Sequence, residues 1–302
     1  MPTDLRVKQD FRDFVVVDRF GSELPFSKGL LATSILATGA ETPRAYEVAH
    51  HVQDYLHDRR LQRISAEELT NLTADTIARL QSEDVAERYL LWRRARRIGR
   101  PIIISLLGSS GVGKSTLATR LALRLGINRV ITTDSIREVL RTVVPASVLP
   151  ELHVSSYEAI ADDLEELHSS TYHRQARAVA SASAAVAKRC VNETKNALFE
   201  GVHLLPGSLA GHLGDMDENP IVVEFLLSLG DPELHNNRLV HRQVSEPGRN
   251  GARHLASFEV IRELQQTMQE AARKAGIPEF DVGSDEDLTQ RIVREIVRQA
   301  LE

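Results

Sequence analysis

Hydrophobic positions along the chain change their rhythm near residue 100. Before that point apolar residues recur at three- and four-residue spacing, the mark of helices with one buried face. Leu30, Leu31, Ile35 and Leu36 predict a helix over 29–38. Ala45, Val48, Ala49, Val52, Tyr55 and Leu56 predict another from Thr42 to His57, opened by a Thr-Pro pair suited to a first helical turn. Ser65-Ala66-Glu67-Glu68 has the form of a capping box ahead of a third helix ending at Leu80. A fourth runs from about Ser82 into the arginine run Arg93-Arg94-Ala95-Arg96-Arg97. The only strand expected in this part is Phe14-Val15-Val16-Val17, followed by a turn at Phe20-Gly21-Ser22.

Gly99-Arg100-Pro101 breaks the pattern, and the domain boundary is placed there, giving domains of 1–97 and 98–302. From Ile102 onward short, fully apolar runs alternate with helical stretches, as in a parallel sheet covered by helices on both faces. The strands expected are Ile102 to Leu107, Arg129 to Thr132, Asn196 to Phe199, Ile221 to Leu229 and a weaker one near Glu279 to Val282. The longest helical stretch, Tyr157 to Lys188, carries a break at Ser169-Ser170-Thr171. No internal repeat stands out. The fold class is therefore α/β, with a smaller, mainly helical N-terminal domain.

Composition narrows the function. A chain of 302 residues with a net charge of −5 lacks the basic excess of a general nucleic-acid binder. The arginine run reads first as a solvated helix end whose cations favour the C-terminal dipole. Eleven histidines show no metal-ligand spacing, and the single cysteine, Cys190, can form neither an internal disulfide nor a zinc cluster. Charges at Asp4, Arg6, Lys8, Asp10, Arg12 and Asp13 leave no signal-peptide core or membrane span near the start, so a cytoplasmic setting is expected. No interface pattern separates from the core signal, which leaves a homo-oligomer open.

The strongest chemical signal is Gly108-Ser109-Ser110-Gly111-Val112-Gly113-Lys114-Ser115, which matches G-x-x-x-x-G-K-[ST] at every fixed position. It sits between a β-rich run and a helix that begins near Thr116. Glycines let backbone N–H groups approach a triphosphate, and the helix dipole adds to the field. Lys114 is expected to reach the β- and γ-phosphates of ATP, and the Ser115 hydroxyl to join the shell of Mg2+.

Two acids follow at the ends of later strands. Asp134, in Thr132-Thr133-Asp134-Ser135-Ile136-Arg137, could accept or orient the proton of an attacking hydroxyl, or merely cap the next helix. Arg137, one turn on, could bind an anionic group of the acceptor. Glu200 ends Ala197-Leu198-Phe199-Glu200, where an acid commonly holds magnesium. His203, among apolar neighbours, is expected to be packed rather than catalytic. Arg238, Arg242, Arg249 and Arg253 stand among turn residues, a composition suited to a lid whose arginines stabilise transferring charge. Arg242 is assigned to catalysis, and Arg249 and Arg253 to acceptor binding. Ile277 to Asp281 either borders the adenine or is only the final strand.

With these residues in place, the chain resembles the 2-phosphoglycerate kinase family, in which an N-terminal ATP-cone-like domain precedes a P-loop kinase domain. The likeness rests on Pro25-Phe26-Ser27-Lys28-Gly29-Leu30-Leu31, Tyr46-Glu47-Val48-Ala49, Ile64-Ser65 with Glu68-Leu69, the phosphate loop, Thr133 to Arg137, and Glu200-Gly201-Val202-His203 with Pro206-Gly207. It implies transfer of the ATP γ-phosphoryl to the 3-hydroxyl of 2-phosphoglycerate, a small phosphorylated acid, giving 2,3-bisphosphoglycerate. In the cone, the usual basic pair before the first turn is reduced to Arg19, so a second nucleotide site built on Arg19 and Lys28 is not implied with the fold. An ATP-sensing regulator, a nucleic-acid-linked kinase or ATPase, and a zeta-toxin-like kinase acting on a nucleotide sugar are the rival readings.

Overall fold

The computed structural model describes residues 14–18, 20–97, 99–156, 171–245, 257–283 and 288–301. Arg19, Arg249 and Arg253, and the 157–170 part of the long helical stretch, lie outside the described residues, as does the side chain of Arg242. The chain divides into two compact units at Ile98 and Gly99.

The first unit joins a small sheet to four helices. Strands β1 (Val15–Val17), β2 (Glu23–Pro25) and β3 (Arg63–Ser65) form the sheet in the order β2-β1-β3, with β2 antiparallel and β3 parallel to β1. The helices are α1 (Lys28–Leu36), α2 (Thr42–Asp58), α3 (Ala66–Leu80) and α4 (Glu83–Arg97). Ser27 caps α1 by accepting from the Leu30 N–H, and Pro43 lies in the first turn of α2. The capping box forms as expected: the Glu68 N–H donates to Ser65 Oγ over 3.1 Å, and the Ser65 N–H donates to Glu68 Oε2 over 3.0 Å. Leu31, Ile35, Val48, Val52, Leu56, Ile77 and Tyr89 form one core. Thr70, Thr73 and Thr76 also face inward on α3. Each hydroxyl donates to the carbonyl four residues back, so no donor is buried without a partner there.

The second unit is built on five parallel strands, β4 (Ile102–Leu107), β5 (Val130–Thr132), β6 (Ala197–Gly201), β7 (Ile221–Ser228) and β8 (Glu279–Asp281), in the order β5-β6-β4-β7-β8. Between them run α5 (Lys114–Leu125), α6 (Thr133–Val143), a 3₁₀ turn at Pro150–His153, α7 (Thr171–Asn192), α8 (Ser208–Leu213), α9 (Pro232–Ser245) and α10 (Phe258–Ala275); α11 (Leu288–Leu301) follows β8. All six residues of β4 are buried, as a central strand covered on both faces requires. Ile103, Leu107, Phe199 and Leu226 pack on one face with Tyr172 and Ala176 of α7, Leu209 of α8, and Leu264 and Met268 of α10. Burial of each such large side chain contributes ~1.5–3 kcal/mol before entropy is counted. No described helix is long and apolar enough to cross a membrane.

Register decides where the site lies. Glu200 pairs with Leu106 on one side and Thr132 on the other, so the ends of β5, β6 and β4 finish level with one another. The chain leaves β4 toward one side of the sheet and later reaches β7 on its other side. Ligands of open α/β sheets bind in the crevice that such a switch point opens beyond the carboxyl ends of the strands.

Candidate active site

Three segments converge on that crevice: the phosphate loop after β4, the first turn of α6 after β5, and the end of β6. The loop leaves β4 at Gly108, whose φ of +145° suits glycine and whose absent Cβ would lie 2.5 Å from the Leu227 carbonyl oxygen. Lys114 is nearly buried, and its Nζ donates to the Ser109 carbonyl over 2.7 Å, folding the ammonium back over its own loop. Ser115 Oγ donates to Glu200 Oε1 over 2.8 Å, and Glu200 is itself buried. A hydroxyl and a carboxylate thus meet beside the glycine-rich loop, a pair suited to a hard cation with oxygen ligands.

The loop is braced from outside by one face of α9. His235 Nε2 donates to the Ser110 carbonyl over 2.7 Å, and Arg238 donates to the Val112 carbonyl over 3.1 Å and the Val282 carbonyl over 3.3 Å. Burial pushes His235 below the usual imidazole range, against the Ser110 carbonyl, which favours its charged form. Gln265 of α10 reads both backbone groups of Leu229 at the end of β7 and approaches Ser109 Oγ at 3.5 Å. Sequence reasoning placed Arg238 only in a lid composition and missed His235 and Gln265, because their partners, mostly backbone atoms, lie from 36 to 156 residues away.

Asp134 stands in the first turn of α6 with its side chain 64% exposed at the crevice. It does not cap the helix. That role falls to Thr132, whose side chain accepts from the Ser135 N–H over 3.1 Å. The Arg137 guanidinium donates to the carbonyls of Leu152 (3.0 Å) and Val154, tying α6 to the segment around the 3₁₀ turn. Arg242 lies on α9.

His203 is fully buried just past β6, as expected of a packed residue, but it is bonded at both ring nitrogens. Nδ1 lies 3.0 Å from Thr133 Oγ1 and 3.9 Å from Asp134 Oδ1, while Nε2 lies 3.1 Å from Gln175 Oε1. Burial pushes its pKa down to about 4; Asp134 opposes the shift, and Arg137 and Lys114 add to it. The Tyr172 hydroxyl, also buried, donates to the Val202 carbonyl over 2.5 Å and pins the same loop to α7.

A phosphate loop and two strand-end acids on an all-parallel sheet define an ATP-dependent P-loop kinase. A family model of the ATP cone domain matches residues 14–98. Proteins named 2-phosphoglycerate kinase align over most of the chain. That of Methanocaldococcus jannaschii is 37% identical over 274 residues, covering 89% of this chain and 86% of its own. That of Pyrococcus furiosus is 32% identical over 292 residues, covering 95% and 94%. The chain belongs to the 2-phosphoglycerate kinase family. Among solved structures, a shikimate kinase from Acinetobacter baumannii is 15% identical, with 68% of this chain and 97% of that one covered and a TM-score of 0.39.

Proposed function

We propose that this kinase transfers the γ-phosphoryl group of ATP to the 3-hydroxyl of 2-phosphoglycerate, giving 2,3-bisphosphoglycerate and ADP. The observation that carries the reading is the placement of Lys114, the Ser115–Glu200 pair and the exposed carboxylate of Asp134 at the level ends of three adjacent strands. The acceptor is supported by the relatives' names.

In this reading the amides of Gly108 to Thr116 cradle the phosphates and Lys114 follows the γ-phosphoryl charge. Ser115 and Glu200 would hold Mg2+, which when bound would supply positive charge to offset that of the phosphates. Asp134 takes the proton of the acceptor hydroxyl as its oxygen bonds to the γ-phosphorus and the bond to the β,γ-bridging oxygen breaks. Arg137, Arg249 and Arg253 pair with the phosphate and carboxylate of the acceptor, and Arg242 with the transferring group.

The test is ADP release from MgATP by the purified protein against 2-phosphoglycerate, 3-phosphoglycerate and glycerate, with the product identified by mass. Selective stimulation by 2-phosphoglycerate and a bisphosphorylated product are expected, and Lys114→Ala should lose about 10²–10³-fold in kcat/KM. Tight ATP binding with no stimulation by any of the three acids would overturn the acceptor.

A further inference from the structure

The first turn of α6 is closed into a ring of hydrogen bonds that passes through His203. The Gln175 amide nitrogen donates to the carbonyls of Glu151 and Val154, which fixes the amide and leaves Oε1 as an acceptor. His203 Nε2 therefore carries the proton it shares with Gln175, and Nδ1 accepts from the Thr133 hydroxyl. Arg137, one turn beyond Thr133, donates to the same Val154 carbonyl that Gln175 uses. The ring thus runs from Thr133 to His203, Gln175 and Val154 and back to α6 at Arg137. Asp134 stands between its two ends on α6.

We propose that His203 is a positioning residue of the kinase: held as the Nε2–H tautomer by Gln175, it keeps the Thr133 hydroxyl turned inward and so sets the turn that aims the Asp134 carboxylate at the acceptor. The inference rests on the reading of Asp134 as the group that meets the acceptor hydroxyl. Three further observations support it. Gly201 lets this loop close on α6, since a Cβ there would lie 1.7 Å from Thr133 Oγ1. Tyr172 holds the intervening Val202 carbonyl. The charged groups that face His203, Asp134 and Arg137 from α6 and Lys114 from α5, are the groups assigned to the reaction, and the partner from α7 is the neutral Gln175. A protonated ring would have to give up the Thr133 hydrogen, because both ring nitrogens would then be donors.

The experiment compares full-length wild type, His203→Asn and His203→Gln in steady-state kinetics with MgATP and 2-phosphoglycerate, alongside nitrogen-resolved NMR of the histidine rings. Asn keeps an acceptor near the Nδ1 position; Gln reaches toward Gln175 without replacing it. The wild-type ring is expected as the Nε2–H tautomer. His203→Gln should lose about ten- to a hundredfold in kcat with the KM for ATP held within about twofold, and His203→Asn should recover part of that loss at equal thermal stability. Thr133→Val removes the same bond from the other side and should reproduce the kcat loss if the His203 variants fail to fold. An Nδ1–H tautomer in the wild type, or kcat within about twofold of wild type in these variants, would overturn the proposal. Absence of any 2-phosphoglycerate phosphorylation by the wild type would instead sink the acceptor. The tautomer and the rate of MgATP hydrolysis by the same variants would still decide the role of His203.

Discussion

Ser115 Oγ and Glu200 Oε1 meet at 2.8 Å although 85 residues separate them. One belongs to the first turn after the phosphate loop and the other ends the neighbouring strand, so the sheet register alone brings them together. Glu200→Gln keeps an acceptor for Ser115 but removes the charge a divalent ion would meet. We expect kcat to fall by about 10²-fold or more, with the Mg2+ concentration for half-maximal rate raised. A rate and Mg2+ dependence like those of wild type would remove Glu200 from the metal shell.

Asp134 and the cap of α6 are separable, because Thr132 supplies the cap. Asp134→Asn is therefore expected to leave stability within about 0.5 kcal/mol, as for an exposed site, while kcat falls about 10²–10⁴-fold and the KM for ATP barely moves. Parallel denaturation and kinetic measurements would show the split. A stability loss without a rate loss would return Asp134 to a structural role.

Gly201 has a φ of +152° and stands against Thr133. Its replacement by Ala forces a clash with a buried side chain whose hydroxyl is already committed, so about 3 kcal/mol or more of destabilisation is expected. The drop should appear as an early unfolding midpoint in urea, and a midpoint equal to that of wild type would show that the loop has room to move.

The depressed pKa of His203, about 4 when folded, predicts a pH effect with a definite sign. The unfolded chain takes up the proton near the ordinary value of 6.5, whereas the folded chain resists it until near 4. Stability from this group is thus fully present above about pH 6.5 and lost as pH falls toward 4, with a slope of up to ~1.4 kcal/mol per pH unit. Urea unfolding of wild type and His203→Asn between pH 7 and 4 should show a steeper decline in the wild type. Identical slopes would mean that the ring titrates alike in both states.

How far the chain could be read without coordinates follows from the range of the interactions involved. The four N-terminal helices, the strand Ile102–Leu107 and the phosphate loop were legible because their signals are local: apolar spacing, a capping box, a Thr-Pro start, a glycine pattern. β2 and β3 were not, since Glu23-Leu24-Pro25 and Arg63-Ile64-Ser65 carry no apolar run and form through pairing with β1; the β1–β3 register joins Val15 to Arg63. The alternative role of Asp134, a helix cap, falls instead to a residue two positions earlier for a similar reason. Thr132 and Asp134 are both good capping residues, and only the end of the β5 ladder decides which one comes first.

The sequence by itself determined the class of chemistry: a phosphate loop between strand and helix, with acids Asp134 and Glu200 at later strand ends, because each rests on neighbours within a few residues. Only the tertiary structure decided how those groups meet. The strand order set Glu200 against Ser115, α9 brought His235 and Arg238 onto the backbone of the loop, and packing of α7 closed the ring from Gln175 through His203 to Thr133. Those contacts span tens to more than a hundred residues and join side chains to distant side chains or to backbone carbonyls, which leaves no periodicity in the chain and becomes visible only when the sheet has fixed which ends lie side by side.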